Sequence, residues 1–131
     1  MRRLAVLAAL AAALVPCPLQ AQTEENLRRA IDLYDNLQVE RARDLFLQVI
    51  SPSSPFEVTN VQRVTAYKYL GATLATLGQH DSSRVYFRAA IERDPFTDLD
   101  PQVFSGLERE AFTQAKQLTF QVGMRPLTET R

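Results

Sequence analysis

His80 is the only histidine among 131 residues, and it stands beside Asp81. A serine–histidine–aspartate triad would need a positioned serine and an oxyanion hole as well. Gly78-Gln79-His80-Asp81 reads instead as a turn, so a solvated turn histidine is the simpler expectation. Asp94, Asp98 and Asp100 carry closely spaced carboxylates that invite a calcium reading. An EF-hand loop requires a mid-loop glycine and a bidentate glutamate at its twelfth position, and this stretch has no such glycine. Glu108 and Glu110 lie two apart on an expected helix and point in different directions, so they cannot act as a pair. Catalytic residues, metal ligands and cofactors are therefore not expected, and the chain reads as a non-enzyme.

Arg28, Arg29, Arg41 and Arg43 are interleaved with Glu24, Glu40 and Asp44. That mixture is a solvated face, not the basic stripe that nucleic acid calls for.

The first 21 residues read as a secretory leader. Arg2 and Arg3 start it, Leu4 to Val15 form an unbroken apolar run, and Pro16 and Pro18 are expected to end any helix before Ala21. Twelve helical residues rise only about 18 Å against a hydrocarbon core of roughly 30 Å, so no stable membrane span is expected after cleavage. An uncleaved anchor, or a lipid on Cys17, is the lesser alternative; Pro16 before the cysteine fits a peptidase groove badly. Cleavage after Ala21 leaves thirteen basic against fifteen acidic residues, a net charge of −2, and no cysteine. The expected location is periplasmic or secreted.

Five helical segments must position whatever the mature chain presents. Leu27, Ala30, Ile31, Tyr34 and Leu37 make a stripe at helical spacing, and Ala42, Leu45, Phe46 and Val49 make a second. Ser51-Pro52-Ser53-Ser54-Pro55 is a loop. A third helix is expected from about Val58 to Leu77, with Val61, Val64, Tyr67, Leu70 and Leu74 inward. Asp81 is expected to cap a fourth helix carrying Phe87, Ala90 and Ile91. Asp100-Pro101 is expected to open a fifth, with Val103, Phe104, Leu107, Ala111, Phe112, Ala115 and Leu118 inward. Helices joined by short turns imply antiparallel hairpins, an all-α fold.

Within Val64 to Thr97, Tyr67, Leu70, Gly71, Leu74, Gly78, Phe87, Ala90 and Pro95 fall at the spacing of a tetratricopeptide repeat, which this segment resembles. Leu74, His80 and Ser83 depart from the usual residue types. A weaker copy uses Ala30, Leu33, Val39, Ala42, Phe46 and Val49, with Leu37 in place of the turn glycine. Phe46 and Phe87 stand 41 residues apart, as do Ala30 and Gly71, so the repeat is lengthened by seven. The resemblance covers 23–119 and implies a short solenoid of stacked hairpins, with the fifth helix as its cap. An unrelated hairpin bundle would bury the same stripes.

The domain organisation expected is a leader over 1–21, a helical domain over 22–119 and a tail over 120–131. The resemblance implies a concave groove lined by Leu27, Ile31, Tyr34 and Asp35 from the first helix and Lys68, Ala72 and Thr76 from the third. Such a groove binds other proteins or peptide segments, which implies an adaptor or scaffold of the bacterial envelope. A periplasmic carrier or chaperone holding apolar or unfolded cargo is the alternative. Two repeats make a shallow groove, so a homo-oligomer is among the expected assemblies. In the tail, Leu118, Phe120, Val122 and Met124 alternate with polar residues and glycine at the period of a strand. Phe120, Val122 and Met124 are thus a second candidate contact.

Overall fold

In the computed structural model the described backbone covers residues 18–123, with side chains over 21–121, and it is all helical. The leader up to residue 17 and the tail from residue 124, Met124 included, lie outside the described residues. The helices are α1 (Pro18–Asp35), α2 (Val39–Ile50), α3 (Asn60–Thr76), α4 (His80–Arg93) and α5 (Gly106–Gly123). α1 packs on α2, α2 on α3 and α3 on α4, as hairpins stacked side by side, and α5 closes over α3 and α4. Pro18 opens α1 where it was expected to break a helix; proline at a first helical position removes only an N–H that would have no partner there.

The two hairpins turn in the same way. At the end of α1, Leu37 N–H donates to Tyr34 O and Gln38 N–H to Leu33 O, both at 2.9 Å. Forty-one residues on, Gly78 N–H donates to Ala75 O at 3.1 Å and Gln79 N–H to Leu74 O at 2.9 Å. This paired bonding of the last carbonyls is a Schellman ending, which needs a left-handed residue. Gly78 supplies it at φ 77° and Leu37 at φ 60°. Leu37 is 84% exposed and so leaves the inward stripe in which it was expected.

Apolar burial holds the stack together. Ala30, Ala42, Phe46, Val49, Leu70, Leu74, Phe87 and Ile91 are buried where the helical period puts them. Each large side chain among them contributes about 1.5–3 kcal/mol. Gly71 lets α3 and α4 close: a Cβ there would stand 2.5 Å from the Phe87 ring. Ser83, where the repeat usually has alanine, donates its hydroxyl to Gly71 O at 2.7 Å and ties the same pair.

Helix starts differ from the sequence expectation at two places. α4 begins at His80 with Gln79 before it, and Asp81 lies inside the first turn, paired with Arg84. Asp100 opens only a single turn: Phe104 N–H donates to Asp100 O at 2.9 Å, and the chain then restarts at Ser105. There Glu108 N–H donates to Ser105 Oγ at 3.4 Å and Ser105 N–H to Glu108 Oε2 at 2.7 Å, a capping box. That start turns Glu108, Phe112 and Ala115 inward and leaves Val103, Leu107 and Leu118 exposed. Val61 is likewise outward, at 76% exposure, because it sits in the first turn of α3. Among the described residues the strand-like alternation after Leu118 yields no strand, since α5 continues to Gly123. Each helical residue there keeps its bond to the preceding turn, which an isolated strand could not match.

α5 also runs against α3. Its first turn lies at the C-terminal ends of α1 and α3, where Glu108 meets Tyr34 and Thr76. Further along, Lys116 Nζ reaches Thr97 O, just past the end of α4, at 3.5 Å. The α4–α5 connection, residues 94–105, must therefore cross the face of α3 from one end to the other.

Candidate partner-binding surface

The chain's own 94–105 strap lies over the side of α1 and α3 where the groove was expected. The floor beneath it is aromatic. Tyr69 stacks on Phe46 at 5.6 Å between centroids and meets Tyr34 edge-on at 5.3 Å. Phe104, from the strap, lies over both, 5.0 Å from Tyr69 and 6.0 Å from Tyr34. Leu99 and Phe104 are the strap's buried apolar anchors, whereas Phe96 is 94% exposed.

Charge acts under one end of the strap and hydrogen bonds fasten the other. Asp94, Asp98 and Asp100 act on Lys68, whose ammonium is pulled below its ordinary pKa by burial and partly restored by these carboxylates. At the far end Glu108 is buried as a hub. Its Oε1 accepts from Tyr34 Oη at 2.6 Å and from Thr76 Oγ1 at 2.8 Å. Burial, and then the bond to Glu108, push the Tyr34 hydroxyl well above its ordinary range. Tyr69 is raised by burial, with Asp35 and Asp100 adding to it. The arrangement locks three helix ends together, and among the described residues every buried side-chain nitrogen or oxygen is hydrogen-bonded.

The groove candidates thus have different fates. Leu27, Tyr34 and Ala72 are buried, and Ile31 packs half-buried against the core. Lys68 is half-buried under the strap, Thr76 is bonded to Glu108, and Asp35 is exposed at the rim. Tyr34, Asp35 and Thr76 come together in one cleft with Leu37, Val103 and Glu108. Of the tail candidates, Phe120 is exposed on α5, Val122 belongs to the last turn of that helix, and Met124 lies outside the described residues.

Tyr69, Phe104 and Glu108 shape this face and were not among the groove candidates, although Phe104 was expected inward and Glu108 was weighed only as one of two carboxylates. Ser105-x-x-Glu108 is a visible capping-box signal, but Asp100-Pro101 is an equally good start signal and competes with it. His80 is exposed, and no group of three or more His, Cys, Asp or Glu among the described residues could hold a metal ion. No described helix is long and apolar enough to cross a membrane.

No protein-family model, curated protein or solved structure matches this chain. The all-helical stacked architecture rests on the structure itself.

Proposed function

We propose that this chain is a non-catalytic protein–protein interaction module of the tetratricopeptide type, exported to the bacterial envelope, where it serves as an adaptor or scaffold. The observation that carries the reading is a frame with its buried polar groups satisfied that still holds large apolar side chains in water. Val85 and Leu118 face one cleft between α4 and α5, flanked by Arg84 and Arg88, and Phe96 projects from the strap. Apolar surface of this kind marks docking sites when it clusters. The doubled turn 41 residues apart supports the repeat reading, since the same four backbone bonds recur at one interval.

The strap narrows the mode of binding. A peptide entering the groove must displace Leu99 and Phe104, so the first surface available to a partner is the outer one. Crosslinking of the tagged, exported protein in its own host tests the reading. Capture of one stoichiometric envelope protein is expected; turnover of a substrate by the isolated chain would overturn it. Broad capture of unfolded clients would point instead to a carrier.

A further inference from the structure

We propose that the 94–105 strap is an autoinhibitory latch, which lifts to admit an acidic, extended partner segment carrying the same two apolar anchors. This deepens the interaction reading and rests on it.

The strap makes few bonds to the helices it covers, because its polar groups are bonded to one another. Thr97 N–H donates to Asp94 O at 3.0 Å, and the N–H groups of Val103 and Phe104 donate to Asp100 O at 3.0 and 2.9 Å. The side chains of Asp94, Asp98 and Asp100 accept from the N–H groups of Phe96, Leu99 and Gln102. Among the described residues, one hydrogen bond links residues 95–104 to another element, Lys116 Nζ to Thr97 O at 3.5 Å, and no ion pair does. A segment that satisfies its own polar groups leaves few of them stranded when it lifts, so its apolar anchors set most of the cost.

Both ends are fixed by contacts that survive lifting. Asp94 N–H donates to Ala90 O at 2.9 Å and closes α4. Glu108 holds Tyr34, Thr76 and the Ser105 N–H, so α5 stays docked when the strap moves away.

The strap's own residues define what could replace it. Leu99 and Phe104 are its buried apolar side chains, and Phe104 lies 5.0 Å from the Tyr69 ring and 6.0 Å from the Tyr34 ring. Lys68, half-buried, interacts with Asp94, Asp98 and Asp100, none of them close enough for an ion pair. An occupant therefore needs an aromatic residue for the Phe104 site, an apolar residue five positions earlier and carboxylates beside that one. A basic segment would cover Lys68 with no counter-charge, which costs free energy.

A fluorescein-labelled peptide copying residues 94–105 tests this, titrated by polarisation with the purified protein from about 1 μM to about 1 mM. The wild type is expected to bind it weakly, since only the open fraction can. Phe104→Ala and Leu99→Ala each weaken one anchor, raise that fraction and should bind the peptide about tenfold more tightly or better. Far-UV circular dichroism shows whether each variant keeps its helices, and two anchors keep the test decisive if one variant does not. A peptide with Phe104→Ala, or with Asp98→Lys and Asp100→Lys, should bind these variants about tenfold more weakly. A wild type that shows no binding at about 1 mM would overturn the latch, as would variants no tighter than wild type or affinity indifferent to the lysine exchange. The peptide stands in for no natural partner, so failure to capture an envelope protein would count against the interaction reading and leave this result as it is.

Discussion

Tyr34 and Glu108, 74 residues apart, share a buried hydrogen bond of 2.6 Å that joins the last turn of α1 to the first turn of α5. Thr76 and the backbone of Ser105 bond the same carboxylate, so one side chain ties the ends of α1 and α3 to the start of α5. Glu108→Ala leaves the hydroxyls of Tyr34 and Thr76 and the Ser105 N–H without this acceptor. A loss of about 1–3 kcal/mol is expected in urea unfolding, the cost of stranding the buried Tyr34 hydroxyl, since Thr76 and Ser105 are exposed and can turn to water. Glu108→Gln, which keeps an acceptor oxygen, should lose less.

Alkaline pH acts through the same bond. The Tyr34 hydroxyl titrates higher in the folded than in the unfolded chain, so its contribution is complete below about pH 10 and is lost as pH rises further. Tyr69 has the same sign, while Lys68, whose folded pKa is lowered, opposes both. Because Tyr34 has by far the largest shift, stability should fall above about pH 10 by at most about 1.4 kcal/mol per pH unit for each proton. Tyr34→Phe should flatten the decline in a series of denaturant melts.

Leu37→Gly should stabilise the isolated chain. A leucine at φ 60° is strained by about 1–2 kcal/mol, and glycine relieves that while giving back part as unfolded-chain entropy. A net gain of about 0.5–1 kcal/mol is expected by thermal melting. Gly78→Leu, the reverse exchange at the matching turn, should lose a similar amount.

Gly71→Ala tests the closest approach in the stack. Helix propensity favours alanine by about 1 kcal/mol, but the new methyl would stand 2.5 Å from the Phe87 ring and force it aside. The clash should win, with a net loss of about 1–2 kcal/mol. Combining Gly71→Ala with Phe87→Leu should lose less than the two single changes added together.

Most of the hairpin core was legible because it follows helical periodicity: Ala30, Tyr34, Ala42, Phe46, Leu70 and Phe87 all point as their spacing requires. The strap was not legible. Leu99 lies in irregular chain, where no period marks a residue as inward; Phe104 was expected inward, but on a fifth helix and not on a strap, and the reversed course of α5 depends on contacts among Tyr34, Thr76 and Glu108 that are distant in sequence. Residue spacing locates a groove on α1 and α3; it carries no information on whether the same chain returns to fill it. Leu37 shows the converse limit, since its apolar type suggested burial while the turn it occupies faces it outward.

The strap should also be the weak part of the fold. Phe104→Ala removes the ring that covers Tyr34 and Tyr69 and should cost about 3 kcal/mol. Cleavage by a dilute protease should concentrate within residues 94–105 in that variant, ahead of the helices.

In solution the 94–105 strap should lie over the α1 and α3 side chains where a groove was expected. Nuclear Overhauser contacts between the Phe104 ring and the Tyr69 ring, in labelled protein, measure that directly. Strong contacts are expected for centroids 5.0 Å apart. Their absence, with the first turn of α5 instead showing contacts to the N-terminal end of α3, would mean an uncovered face and would contradict this placement.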